Sequence, residues 1–101
     1  MKMVFLNYYV GVDDEVKEIL TALGVRAYTR FPETEGRTTC GEPREKTHVW
    51  PGSNSTMFVV VEEGVADSLV RKVEEFNAAA FGEGIDAYVL DVSRSVVAGG
   101  A

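Results

Sequence analysis

The order of hydrophobic periodicities along the chain is the feature that most constrains its fold. A period of two, or an unbroken apolar run, predicts four strands, at 2–10, 25–31, 56–62 and 85–92. A period near 3.6 predicts amphipathic helices at 12–23 and 65–79. The order is therefore strand, helix, strand, long connection, strand, helix, strand. Two such halves predict a single ferredoxin-like α+β domain (βαββαβ), in which a four-stranded antiparallel sheet carries both helices on one face.

Local residues refine the ends of these elements. Asp13 or Asp14 is expected to cap the first helix by accepting hydrogen bonds from its free amides. Gly24 is placed to end that helix in the left-handed conformation. Pro32 is expected to stop the second strand at residue 31, because proline cannot donate a backbone hydrogen bond. The domain spans residues 1–93, and the small residues of 94–101 are expected to fray.

The strands are apolar on both faces, although two helices can cover only one face of the sheet. In the first strand one face carries Met3, Phe5 and Tyr9, and the other carries Val4, Leu6, Tyr8 and Val10. A chain of 101 residues can hide only about two-thirds of the surface that its unfolded form exposes. An uncovered apolar face is rare in soluble monomers, so self-association is expected. The alternative cover is the long connection or the tail, but the connection is rich in charge.

Net charge and cysteine content limit the partners and the compartment. The formal charge of −6 argues against nucleic-acid binding, which needs a basic surface. The single cysteine excludes an intramolecular disulfide and favours a reducing compartment. No apolar run reaches the roughly 18 residues that insert into a membrane, and the N-terminus does not resemble a signal peptide. A cytoplasmic protein is expected.

The connection at residues 32–54, called here the 32–54 segment, is where we expect the functional residues to lie. It has no sustained periodicity and far exceeds ordinary connection lengths. It holds the only cysteine and the only histidine of the chain, Cys40 and His48. With nearby carboxylates these two side chains could ligate zinc or copper, in a site that an oligomer would complete. The alternative is an indifferent thiol and a surface imidazole.

Two further features, in the 32–54 segment and in the strand before it, have both a structural and a binding interpretation. Trp50-Pro51-Gly52 is more typical of an anchored loop base than of a ring that stacks on a ligand. Several basic side chains could meet an anionic effector, although solvated charge is the ordinary interpretation. They are Arg26, Arg30, Arg37, Arg44 and Lys46.

Catalysis has little support in the sequence. The chain has no glycine-rich phosphate loop and no GxSxG, HExxH or CxxC motif. Cys40 and His48 could form a nucleophile–base pair, but a flexible loop would orient that pair poorly. We therefore expect a protein that is not an enzyme.

The element order, the chain length and the charged 32–54 segment together resemble the PII superfamily of signalling proteins over residues 2–92. The resemblance implies a ferredoxin-like homotrimer whose sheets line its centre. It also implies that the 32–54 segment acts as the family's T-loop, which changes conformation on effector binding and docks onto a membrane transporter, an enzyme or a regulator. Another ferredoxin-like trimer, CutA, resembles the chain in the same way and implies divalent-metal binding.

The resemblance also implies a set of candidate effector contacts. They lie at the base of the 32–54 segment and in the turn before the last strand: Arg30, Gly36, Arg37, Gly82 and Gly84. That turn lacks the phosphate-facing lysine of the nucleotide-binding PII proteins, and Glu83 and Asp86 would repel phosphate. The sequence looks more like divergent PII-like proteins that accompany metal efflux or bicarbonate transport. The candidate effectors are a nucleotide, a divalent metal and bicarbonate, and no cofactor is certain.

Overall fold

The computed structural model describes residues 1–34, 54–79 and 84–98, together with the backbone of 36–37 and 43–44. Two helices and six strands follow one another in these residues. In chain order they are β1 (Lys2–Tyr9), α1 (Asp13–Ala22), β2 (Thr29–Thr34), β3 (Gly36–Arg37), β4 (Pro43–Arg44), β5 (Asn54–Val61), α2 (Glu63–Ala79) and β6 (Ile85–Asp91).

Four of the strands form one antiparallel sheet in the order β2-β5-β1-β6. The ferredoxin-like prediction is therefore confirmed. The two central strands, β1 and β5, carry the apolar runs, whereas β2 and β6 form the two edges. Within the 32–54 segment, β3 and β4 pair with each other over two residues each. The fold places both ends of the 32–54 segment at one end of the sheet, where β2 stops and β5 starts.

The hydrophobic core lies between the sheet and the two helices. The register pairs Val4 with Val59 and Leu6 with Met57, so these side chains share the helix-facing side. Both helices add their apolar stripes to this layer. The buried core residues are Val4, Leu6, Tyr8, Val12, Val16, Leu20, Met57, Val59, Ala66, Leu69, Val73 and Ile85.

The opposite side of the sheet is also apolar, as the strand pattern predicts. We call it the open sheet face, and it carries Met3, Phe5, Phe31, Phe58, Val60, Tyr88 and Leu90. The rings of Phe5 and Phe58 stack with their centroids 6.3 Å apart. Phe31, Val60, Tyr88 and Leu90 are each exposed by 40–50% in the single chain. The surplus of apolar residues is therefore concentrated on one face.

The second strand departs from its predicted bounds. The prediction began it at residue 25, but Gly24 (φ 75°) and the hydrogen bond from Val25 N to Leu20 O (2.9 Å) still belong to the end of α1. The strand also continues through Pro32 to Thr34. Proline is tolerated there because β2 is an edge strand, and the register shifts between Phe31 and Thr34. The Ser55 hydroxyl donates to the Pro32 carbonyl at 2.9 Å, which fixes the shifted segment.

The predicted cap of α1 is wrong. A short 3-10 turn over Val10–Val12 leads into the helix, and the capping residue, Val12, offers no side-chain acceptor. The acidic first turn is present as expected, with Asp14 exposed. The Asp13 carboxylate turns away from the helix amides and toward the sheet, because a tyrosine and an arginine donate to it there.

Candidate functional site

A cluster of charged and polar side chains joins the helix layer to the edge of the sheet. Asp13 Oδ1 accepts hydrogen bonds from the Tyr8 hydroxyl (2.7 Å) and from Arg30 Nε (2.8 Å). Lys17 Nζ lies 3.1 Å from Asp13 Oδ2, one helical turn along α1. The three donors come from β1, β2 and α1, so the carboxylate ties three elements together. We call these four residues the Asp13 cluster.

The hydrogen bonds and charges within the cluster stabilise the ionised form of Asp13. Burial alone would raise the pKa of Asp13, but the hydrogen bonds from Tyr8, Lys17 and Arg30 outweigh it and hold that pKa below its ordinary value. Burial, followed by the bond to Asp13, raises the pKa of the Tyr8 phenol. The cluster therefore consists of an ionised carboxylate, a neutral phenol that donates, and two cations.

A polar row crosses the open sheet face where the 32–54 segment leaves the sheet. Thr56 Oγ1 donates to Asn7 Oδ1 at 2.7 Å and lies 3.1 Å from Thr34 Oγ1. Asn54, which is only 3% exposed, pairs in register with Tyr9 and with Thr34. Its Oδ1 accepts no hydrogen bond from the described residues. The base of the segment is thus polar and ordered on an otherwise apolar face.

The start of β6 is anchored by a side chain of α2. Asn77 Nδ2 donates to the Ile85 carbonyl and Asn77 Oδ1 accepts from the Ile85 amide, both at 2.8 Å. This two-point contact imitates the pairing of a neighbouring strand at the outer edge of β6. It fixes the residue that directly follows Gly84.

The predicted effector contacts fall on different parts of the sheet. Arg30 lies in β2, Gly36 and Arg37 form β3, and Gly84 precedes β6. Because β2 and β6 are opposite edges, three strand spacings, or about 14 Å, separate them within one chain. A single chain therefore does not bring Arg30 and Gly84 together. Gly82, Cys40, His48 and Trp50 lie outside the described residues.

Sequence reasoning missed the Asp13 cluster and the anchoring role of Asn77. The sequence pattern indicates an apolar strand at Tyr8 and a helix cap at Asp13, and both interpretations are local. The contact with Arg30 spans 17 residues and depends on the sheet order, which no spacing in the sequence encodes. An Asn near the end of a helix was the only signal that pointed to the contact with Ile85.

Metal and membrane features are limited in the described part of the chain. No group of three or more His, Cys, Asp or Glu side chains is arranged there to hold a metal ion. The predicted ligands, Cys40 and His48, are not among those residues. Among the described helices, none is both long enough and apolar enough to cross a bilayer.

Comparison with known proteins identifies the fold. A PII-like signalling protein from Thermus thermophilus superposes with a TM-score of 0.68 at 23% identity, over 90% of this chain and 85% of that one. A nitrogen regulatory PII-like protein from Thiomonas intermedia, CPII, bound to ADP, AMP and bicarbonate, superposes with a TM-score of 0.70 at 18% identity, over 92% of this chain and 88% of that one. CPII bound to ADP and bicarbonate gives a TM-score of 0.63 at 17% identity, over 93% and 91%.

No protein-family model matches the chain, and no curated protein matches it either. The likeness is therefore one of structure, at identities below 25%. The chain has the fold of the PII-like signalling proteins, and the resemblance inferred from its element order is confirmed at that level.

Proposed function

We propose that this protein is a PII-like regulator without enzymatic activity, which senses a small effector at the base of the 32–54 segment. The segment then passes the signal to a partner protein such as a transporter. The observation that carries the proposal is the likeness, over about nine-tenths of the chain, to CPII, whose structures hold ADP, AMP and bicarbonate. The ordered polar base of the segment supports it further.

The effector site we propose lies between two copies of the chain. Strand direction alternates across the sheet, so β6 of one copy runs antiparallel to β2 of a second copy placed beside it. Ile85 pairs with Tyr8, and Thr34 pairs with Asn54, at the same end of the sheet. Gly84 of one copy then lies at the end of β2 of the next copy, close to Gly36 and Arg37, while Arg30 lies farther along the same strand, level with Ala87. This arrangement joins the candidate contacts that one chain keeps apart.

The open sheet face supports a homotrimer with the sheets turned inward. Four large apolar side chains there are 40–50% exposed in the single chain. Burial of ~500 Å² of apolar area per copy would contribute about 12 kcal/mol before the costs of association. Closed cyclic symmetry would bury the open sheet face of every copy. Each copy would then present β2 to one neighbour and β6 to the other.

The proposed effector is a nucleotide or bicarbonate. Arg30 and Arg37 supply positive charge, and Gly36, Gly82 and Gly84 leave room for the backbone to approach an anion. Asp86, at the start of β6, adds negative charge near the same turn. The site therefore favours an anion of low charge, or a nucleotide bound mainly through its base and sugar.

Calorimetric titration with ADP, AMP and bicarbonate, combined with native mass spectrometry, tests the proposal. We expect one of the three to bind the wild-type trimer. Gly84→Asp should weaken this binding, whereas Gly64→Asp, a matched change in the first turn of α2, should leave it unaltered. A monomer that binds none of the three would refute the proposal.

The same calorimetric titration is carried out with Zn²⁺ and Cu²⁺ to test the alternative function. Metal binding that Cys40→Ser and His48→Ala abolish, without any response to the anions, would instead favour a divalent-metal protein of the CutA or metal-efflux type.

A further inference from the structure

Asp13 has more polar partners than Arg30 has. Within the described residues, Arg30 Nε makes one ion pair, to Asp13 Oδ1 at 2.8 Å, and the Tyr8 hydroxyl also lies beside its guanidinium. Asp13 also accepts from the Tyr8 hydroxyl at 2.7 Å and contacts Lys17 Nζ at 3.1 Å. If Arg30 left, Asp13 would keep two donors. The pair can therefore open by movement of the arginine, which leaves Tyr8 together with Asp13.

The exposures of the two side chains also favour movement of Arg30 over movement of Asp13. The Asp13 side chain is 13% exposed, whereas that of Arg30 is 25% exposed and lies on an edge strand. A guanidinium has five N–H donors, which suit a carboxylate, a phosphate or bicarbonate equally well. Arg30 is thus the more exposed partner, while Asp13 is held at the start of α1 by two further contacts.

We propose that Asp13 is an internal competitor for Arg30, so that an anionic effector binds by drawing the guanidinium away from the Asp13 carboxylate. This inference rests on the effector site proposed above. It assigns the Arg30–Asp13 ion pair to the effector-free state, in which it restrains the site. The ligand chemistry is that of a small oxyanion, supplied either by a phosphate group or by bicarbonate.

The position of Arg30 gives the exchange a route to the 32–54 segment. Arg30 is four residues before Thr34, the last residue of β2, and its pair with Asp13 links β2 to α1. When the arginine leaves, β2 loses this link but keeps its hydrogen bonds to β5. The bulged end of β2 is then free to change its path into the segment. An effector would thus alter the base of the 32–54 segment by removing the link from β2 to Asp13 in α1.

Opposite effects of two single substitutions would distinguish competition from simple support. Asp13→Asn keeps an oxygen acceptor for Tyr8 but weakens the hold on Arg30, so ADP or bicarbonate should bind about fivefold more tightly or better. Arg30→Gln removes the group that the effector recruits and should weaken binding by about the same factor or more. Asp91→Asn and Lys2→Gln, which break the surface ion pair between β6 and β1, are matched controls and should change neither affinity.

A spectroscopic signal follows the arginine directly. The Nε–H resonance of Arg30 should move, when ADP or bicarbonate is added, toward its position in Asp13→Asn. Weaker binding in both Asp13→Asn and Arg30→Gln, or a resonance that stays in place while ligand binds, would overturn the inference. Circular dichroism first establishes that each variant is folded, and Arg30→Lys serves if Arg30→Gln is not.

The inference and the proposed function can fail separately. If the wild-type protein binds neither ADP nor bicarbonate, the proposed effectors are wrong, and inorganic phosphate becomes the probe for Arg30. A shift of the Nε–H resonance with phosphate in wild type, enhanced in Asp13→Asn, would support the competition. No shift with phosphate would overturn it.

Discussion

At the residue scale, Asp13 is the point where β1, β2 and α1 meet. Its carboxylate is largely buried, and burial of a charge is costly unless hydrogen bonds compensate for it. Tyr8, Lys17 and Arg30 provide that compensation from three directions. The stability of the corner should therefore depend on each donor, and most on the fully buried one.

Tyr8→Phe removes the buried donor and leaves the ring in place. A hydrogen bond to a charged group contributes about 1.5–3 kcal/mol, so we expect a loss of this order in the free energy of unfolding. Urea denaturation measures it. Tyr28→Phe removes the same hydroxyl from a side chain that is 44% exposed and should cost less than about 0.5 kcal/mol. Equal costs for the two variants would contradict the assignment of Tyr8 to the core.

The same carboxylate predicts a dependence of stability on acid. The folded-state pKa of Asp13 is lowered from an ordinary value of 3.8, so its contribution is present above pH 3.8 and is lost as the pH falls through the folded pKa. Lys17, Arg30 and the Tyr8 phenol face this group from α1, β2 and β1. Wild type should exceed Asp13→Asn in stability at pH 6, and the difference should shrink below pH 3.8.

Urea midpoints between pH 2 and 6 test this expectation. Asp14→Asn, one residue along on the exposed side of α1, is the control and should show no such convergence with wild type. A difference between wild type and Asp13→Asn that stays constant over the whole range would refute the expectation.

At the element scale, the start of β6 depends on one side chain of α2. Asn77 satisfies both backbone groups of Ile85 at 2.8 Å, at an edge where no described strand pairs with them. Because Ile85 is buried, this contact also holds the start of β6 against the core. The helix thus fixes the position of Gly84, which the proposed effector site requires.

Asn77→Ala should release the first residue of β6 without unfolding the sheet. We expect the Ile85 amide to exchange with deuterium at least about tenfold faster, since its acceptor is gone, whereas the amides of β1 and β5 keep their protection. Glu75→Ala, a change at an exposed position of the same helix, should leave Ile85 protected. Unchanged exchange at Ile85 in Asn77→Ala would contradict the anchoring role.

The elements themselves could be predicted because each has its own local signal. Apolar periodicity located both helices and the four strands of the sheet, and Gly24 ends α1 in the left-handed conformation as expected. The first and last residues of β2 could not be predicted from the local sequence. Residues 25–28 have strand-like side chains but connect the end of α1 to the sheet edge, and Pro32 is tolerated because β2 is an edge strand among the described residues. Both facts depend on tertiary position.

At the scale of the whole molecule, the two faces of β6 offer a direct test of assembly. Leu90 and Val89 are neighbours of nearly equal exposure, 48% and 46%, but Leu90 lies on the open sheet face and Val89 on the helix side. Leu90→Lys should abolish self-association, because a buried ammonium would be unpaired in the interface. Val89→Lys places the same charge outside that face and should leave the oligomer intact.

Sedimentation velocity measures the oligomer in both variants. If both remain associated, or if both become monomers, the open sheet face is not the surface on which copies meet.

The sequence predicts the apolar surface that assembly could use, but it does not predict how the effector contacts are arranged in space. The apolar pattern on both strand faces correctly located the surplus hydrophobic surface, because alternation of side chains is a local property. The separation of Arg30 from Gly84 was not foreseen, because it follows from strand order. Residues that look like one site along the chain can therefore lie on opposite edges of its sheet.

The irregular edge of β2 also bears on the behaviour of the protein at high concentration. A regular exposed edge can recruit further strands and start aggregation. In β2 the missing amide of Pro32 and the shifted register after Phe31 interrupt the row of donors and acceptors that such growth needs. This edge therefore disfavours growth of one copy onto another into a fibre.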